Sequence, residues 1–94
     1  MDKYKNLYAL YTGPAGYEGD KQKMAKLEAG GVLQRDVLYK VERIDMGSSV
    51  TYVDLLNVPA VLNSVALKFC EVTKQGIKEC DIYNDARFNP YMGR

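Results

Sequence analysis

The chain has no histidine and no tryptophan, and only two cysteines and three prolines among its 94 residues. Without histidine, the commonest general base and the commonest metal ligand are both missing. Two cysteines alone do not complete a tetrahedral zinc site, and a serine nucleophile would have no imidazole to activate it. An excess of either charge is also lacking. Thirteen basic residues against 12 acidic ones leave a net charge of +1, so no global field draws the chain to nucleic acid or a membrane surface. No apolar run approaches the roughly 20 residues of a spanning helix. The opening MDKYKNLYALYTG has neither the long apolar segment nor the small-residue cleavage site of a signal peptide. The expectation is a cytoplasmic protein whose thiols stay reduced.

Tyrosine is abundant by contrast, with eight Tyr against two Phe. A ring with a polar tip suits half-exposed β faces, interfaces and ligand sites. A chain of this length is a single domain, residues 1–94, with one modest core.

The pattern is organised around Val37 to Leu56, VLYKVERIDMGSSVTYVDLL, which reads as two β-branched and aromatic strands about a turn at Met46-Gly47-Ser48, where Gly47 supplies a positive φ. Placing Val41 opposite Val53 sets Tyr39 against Leu55 and Arg43 against Thr51 on one face. Lys40 against Asp54 and Ile44 against Val50 then lie on the other. Before this hairpin, Asn6–Thr12 is a first strand, apolar enough on both faces to be central, and the polar MDKYK ahead of it is expected to fray. The glycine-rich loop Gly13–Gly19 follows. Asp20 is the expected N-cap of a short helix, Lys21–Ala29, with Met24 and Leu27 inward and Gly30 in the left-handed position at its end. Asn57–Asn63 reads as a loop or bulge because of Pro59. Ser64–Val72 and Ile77–Tyr83 form a second hairpin in which Val72 faces Ile77, Glu71 faces Lys78, Phe69 faces Cys80, Leu67 faces Ile82 and Lys68 faces Asp81. That register leaves the cysteines unpaired, with Cys80 in the core and Cys70 on the opposite face. Together these elements make a β-rich α+β domain: about five antiparallel strands with one short helix, as a small curled sheet or an SH3-like barrel.

Four places carry chemistry worth weighing. The loop TGPAGYEGDKQK runs into a helix N-terminus, whose free amides attract anions. Gly16, Tyr17, Gly19, Lys21 and Lys23 are its candidate ligand-binding residues, with Arg43 or Arg87, from another part of the fold or another subunit, closing the site and Phe88 offering a ring. Asp20 and Glu18 oppose an anion there, and neither common phosphate-loop pattern is present. Asp45, Ser48 and Ser49 read as turn chemistry. The carboxylates Asp54, Asp81 and Asp85 do not assemble into a catalytic or cation-binding set, since Asp54 and Asp81 have lysine partners in the registers above. The tail NDARFNPYMGR, with Arg87, Phe88 and Tyr91, either covers the open end of the sheet or latches onto another molecule. The sequence therefore assigns no catalytic residue, no metal site and no cofactor. The strand NLYALYT shows few edge guards, so self-association through it is expected.

Several stretches together resemble a group of small, largely uncharacterised proteins encoded by bacteriophages and prophages. They are Gly13-Pro14-Ala15-Gly16-Tyr17-Glu18-Gly19-Asp20, Tyr39-Lys40-Val41, Met46-Gly47-Ser48-Ser49 with Thr51 and Val53, Asn63-Ser64-Val65, and Phe88-Asn89-Pro90-Tyr91. Where the group carries an aromatic residue before Asn-Ser-Val, this chain has Leu62. The resemblance brings no catalytic residues. It implies a non-enzymatic inhibitor that sequesters a host protein or a nucleotide signal of host immunity, in the host cytoplasm; the expected homo-oligomer comes from the NLYALYT edge, not from the resemblance. The alternative is a small nucleic-acid-binding β-barrel, which near-neutral charge disfavours.

Overall fold

The computed structural model describes residues 3–92. Its strands are β1 (Leu7–Tyr11), β2 (Leu38–Met46), β3 (Thr51–Leu55), β4 (Leu62–Asn63), β5 (Leu67–Thr73) and β6 (Gly76–Glu79), and helix α1 (Glu18–Ala29) lies between β1 and β2. They form one six-stranded sheet in the order β4-β3-β2-β1-β5-β6, antiparallel at every pairing. The β-rich class with one helix is as expected. The strand beyond the expected five is β4, two residues within the segment read as loop.

The sheet cannot be flat. β4 and β5 lie four strand spacings apart, about 19 Å in an untwisted sheet. Yet only the 3-10 turn Ser64–Ala66 joins them, and four residue steps at 3-10 pitch cover roughly 8 Å. The sheet therefore curls into a half-barrel that brings the two strands together. Ala66 fixes the closure: its carbonyl accepts from the Thr12 amide at 2.9 Å and from Thr12 Oγ1 at 3.0 Å. The concave side holds the core, in which Leu7, Ala9 and Tyr11 of β1 meet Val41, Val53, Leu55, Leu62, Phe69 and Met24.

β1 shows strict alternation, inward residues buried and outward ones partly exposed, as a central strand should. Because β2 and β5 flank it on both sides, it is no edge, and the expected self-association through NLYALYT has no free strand to use.

The expected register of the first hairpin is corrected. Val41 pairs with Leu55, and after a β-bulge Arg43 pairs with Asp54 and Ile44 with Val53. The extra residue, Glu42, rephases β2, so Val41 and Ile44 are both buried although three apart. Lys40 therefore does not meet Asp54. Its Nζ donates instead to the carbonyls of Tyr4 at 2.6 Å and Val41 at 2.7 Å, and Asp54 pairs with Arg43 at 3.3 Å. Gly47 is not among the positive-φ glycines. Its requirement is space, because a Cβ there would stand 2.9 Å from the Val50 carbonyl oxygen.

The second hairpin pairs Val72 with Ile77 and Glu71 with Lys78 as expected. Both strands are shorter than expected at the hairpin's open end, since Ser64–Ala66 and Ile82–Asn84 are 3-10 turns. Lys68 consequently meets Glu79 at 3.7 Å rather than Asp81. Both cysteines are free, Cys70 being the more buried; Cys80 packs against the core cluster from its margin.

Helix α1 begins three residues earlier than expected. Its N-cap is Tyr17, and Asp20 sits at the third helical position, where its Oδ2 accepts from the Tyr17 amide at 3.1 Å. At the other end the left-handed residue is Gly31, φ 76°, not Gly30. The Val32 amide returns to the Leu27 carbonyl at 3.0 Å and the Gly31 amide to Glu28 at 3.1 Å, a Schellman ending.

Both termini of the described chain are held. Tyr4 and Phe88 stack with centroids 6.0 Å apart, and Phe88 is buried in the core. Fraying therefore does not extend to Lys3–Lys5; the expectation for Met1 and Asp2, like that for Gly93 and Arg94 of the tail, lies outside the described residues.

Candidate functional site

Three loops and the chain's last turn meet beside the N-terminus of α1 and enclose a groove of about 460 Å³. Gly16 and Tyr17 form one wall, the β2–β3 turn Gly47–Val50 another, and Ser64, Val65 and Tyr83 the floor and far side; the tail closes it with Asn89 and Tyr91.

Each wall is fixed from within. Asn63 Nδ2 donates to Asp20 Oδ2 at 3.1 Å while its Oδ1 accepts from the Val65 amide at 3.2 Å, tying the 3-10 turn to the helix. Tyr52 Oη reaches the same Asp20 oxygen at 3.5 Å. Burial, and then the Asp20 carboxylate, push the Tyr52 phenol above its ordinary pKa. Gly16 has φ 105°, and a Cβ there would lie 2.7 Å from Asn63 Nδ2, so only glycine lets the loop close on this cluster. Asp81 caps the second 3-10 turn by accepting from the Tyr83 amide at 3.1 Å. The Tyr83 and Ser64 hydroxyls are hydrogen-bonded to each other. Asn89 Nδ2 donates to the Tyr83 carbonyl at 2.7 Å, its Oδ1 accepts from the Tyr91 amide at 2.9 Å, and the tail is thereby folded against the groove.

Asn63 and Asn89 are thus spent on structure. What the groove offers a ligand is the outward rings of Tyr17, Tyr83 and Tyr91, the side chain of Val65, and the hydroxyls of Ser48 and Ser49. Tyr17 and Val65 are each 61% exposed, Tyr91 57% and Tyr83 45%. Among the described residues the lining contains no Lys, Arg, Asp, Glu or Cys, and ten of the fourteen that line it are Tyr, Ser, Gly or Asn.

Of the candidate ligand residues, the structure brings only Gly16 and Tyr17 to this groove. Gly19 lies in the first turn of α1, where a Cβ would meet nothing within 4 Å, and Lys21 is exposed on the helix. Lys23 Nζ donates to the Val61 carbonyl at 3.2 Å, along the β4 edge. Arg43 is paired with Asp54. Arg87 binds Glu71 at 2.8 Å and Asp85 at 2.6 Å, and Phe88 is core. The site drawn from sequence, with phosphates at the α1 N-terminus closed by Arg43 or Arg87, is therefore not assembled in the single chain. The helix end also carries its own carboxylate, Asp20, where an anion was expected. The residues that sequence reasoning missed as a set are Tyr83, Tyr91, Ser48, Ser49 and Val65. The tyrosine excess was their signal, but nothing local in the chain joins residues 48, 65, 83 and 91.

Among the described residues, one other cluster has ligand-like geometry. Ligand atoms of Glu71, Cys80 and Asp85 lie within 4.8 Å of one another. Arg87 already supplies the cation: its guanidinium bonds hold both carboxylates below their ordinary range, and burial pushes the Cys80 thiol up, away from the thiolate a metal needs.

A family model described as Bacteriophage T4 protein Y07B matches residues 6–94. No curated protein and no solved structure matches the chain. With nearly the whole chain matched, the protein belongs to the bacteriophage T4 protein Y07B family.

Proposed function

We propose that this member of the phage Y07B family is a non-enzymatic binding protein that acts stoichiometrically on a component of the host cell, in the host cytoplasm, and that the groove between Tyr17, Ser48, Val65, Tyr83 and Tyr91 is its recognition surface. The observation that carries the reading is the groove's lining: uncharged among the described residues, and dominated by Tyr, Ser, Gly and Asn. Tyrosine gives large contact area at little conformational cost, and serine and glycine give adaptable hydrogen bonding. The same mixture dominates antibody binding loops. Among the described residues the lining offers no acid–base pair and no nucleophile with a base, so recognition is the chemistry it supports. Nor do those residues offer a cation to a phosphate, which favours a host protein over a nucleotide signal as the target. Blocking a host defence or host process by occupying such a protein is the action we assign.

The test uses the purified protein as immobilised bait against lysate of the phage's host, with Tyr83→Ala and Ser48→Trp as controls. The expected result is one host protein retained at a fixed stoichiometry, identified by mass spectrometry, re-bound when purified, and lost with both variants while thermal stability is kept. Retention unchanged by both variants would remove the groove from the proposal. Tight calorimetric binding of a cyclic or linear nucleotide, unaffected by groove substitutions, would replace the protein target, and multiple turnover of any nucleotide would replace the binding reading itself.

A further inference from the structure

The two ends of the sheet are finished differently. At one end α1 covers β4: Lys23 takes the Val61 carbonyl and Asp20 takes the Asn63 amide. At the other end β6 has no such cover among the described residues. All four of its residues are exposed, and Ile77 is 65% exposed.

The hydrogen-bond phase of β6 decides which backbone groups are free. The Cys80 amide donates to the Phe69 carbonyl at 3.0 Å. Counting back in steps of two, Lys78 opposite Glu71 and Gly76 opposite Thr73 are the residues that exchange hydrogen bonds with β5. Ile77 and Glu79 therefore direct their N–H and C=O groups outward, away from the sheet. The side chain of Ile77 lies on the convex face, where it lines a shallow apolar depression of about 290 Å³ with Leu10, Leu38 and Cys70.

We propose that this edge pairs with β6 of a second copy about a two-fold axis, with Ile77 opposite the partner's Ile77. Charge selects that register. Sliding the pair by one rung in one direction sets Lys78 against the partner's Lys78. A further rung sets Glu79 against the partner's Glu79. Sliding the other way sets Lys74 against the partner's Lys78. Like charges directly opposite are destabilising. With Ile77 on the axis, Lys78 faces the partner's Gly76 and Glu79 the partner's Gln75, and no like charges meet. The two Ile77 residues exchange both main-chain bonds, and their side chains join the two apolar depressions across the axis. Such a contact is self-complementary and closes, as a two-fold dimer requires. The groove beside α1 takes no part in it, so the two surfaces stand or fall separately.

The test is mass measurement by light scattering and sedimentation from 10 to 200 µM, with amide hydrogen exchange on the same samples. The wild-type chain is expected to approach twice its 10.6 kDa monomer mass as concentration rises, with the Ile77 and Glu79 amides gaining protection in step. Ile77→Lys places two lysines across the axis and should weaken dimerisation at least tenfold. Ile77→Pro removes an amide that the chain itself does not use and should abolish dimerisation. Where the proline variant fails to fold, the lysine variant decides. A monomer at 200 µM, or a dimer that survives Ile77→Lys with its affinity unchanged, would overturn the proposal.

Discussion

Asp20 and Asn63 are joined by a hydrogen bond of 3.1 Å although 43 residues separate them. That bond fastens the first turn of α1 to the end of β4. Since the same carboxylate oxygen also caps the Tyr17 amide, it sets the helix start, the 3-10 turn and one wall of the groove together. Asp20→Ala is expected to destabilise the protein by about 2 kcal/mol, through the lost cap and the stranded amide of Asn63. Asp20→Asn should cost less, because an amide oxygen still accepts. Urea denaturation of the three proteins measures this, and equal stability of wild type and Asp20→Ala would refute it.

The glycine loop divides into a position that needs glycine and one that does not. Gly16→Ala places a Cβ 2.7 Å from Asn63 Nδ2 at φ 105° and should cost at least about 1–2 kcal/mol. Gly19→Ala meets nothing within 4 Å and lies inside α1. It should stabilise the protein by roughly 0.5–1 kcal/mol. For a domain of this size the two variants should then melt on opposite sides of wild type, each several degrees away (about 4–8 °C per kcal/mol). Calorimetry checks the signs.

The bulge in β2 is tested by removing its extra residue. Glu42 is exposed, so Glu42→Ala should change stability by no more than about 0.5 kcal/mol. Deleting Glu42 leaves Val41 and Ile44, both buried, two positions apart opposite Leu55 and Val53, so a regular strand keeps both on the core face. The deletion should therefore keep cooperative unfolding, read by near-ultraviolet circular dichroism, as the substitution does. Deleting Glu42 and Arg43 together makes Val41 and Ile44 adjacent, on opposite faces, and should lose it. Loss of cooperative unfolding on deleting Glu42 alone would mean the bulge does more than carry an extra residue.

These positions also mark where the sequence was legible. β1, the body of α1 and the β5–β6 register are local or charge-determined: alternation, an i, i+3 stripe ended by glycines, and Glu71 opposite Lys78. The β2–β3 register was not, because the turn is wider than its sequence suggests: Met46 pairs with Thr51, a shift of three residues, of which the bulge at Glu42 takes back one. Lys40 opposite Asp54 looked like an ion pair only in the alignment with the tighter turn. Asp20 was misplaced by one turn because its carboxylate caps backwards, from inside the helix. The groove was the least legible part. Gly16 and Tyr17 were within reach of local reasoning. Their companions Ser48, Val65, Tyr83 and Tyr91 arrive by the curl of the sheet and the return of the tail.

Arg87 gives a prediction with a definite pH direction. Its guanidinium binds Glu71 and Asp85 together, and those bonds hold both carboxylates below their ordinary values of 4.5 and 3.8. The folded state therefore prefers them deprotonated. Their contribution is complete above the unfolded values and is lost as pH falls through the lowered folded ones, since the unfolded chain binds the protons more readily. In Arg87→Met the sign reverses. Two neighbouring carboxylates without a cation repel, each raising the other's pKa. Protonating them then relieves the folded state. At pH 7 the variant should be less stable by only about 1 kcal/mol, because the network is partly exposed and solvent-screened. The gap should narrow steadily between pH 5 and pH 3 as wild type loses its ion pairs and the variant loses its repulsion. Urea midpoints at pH 7, 5, 4 and 3 for both proteins provide the comparison; a gap that stays constant over that range would show that the Arg87 network carries no linkage to these carboxylates.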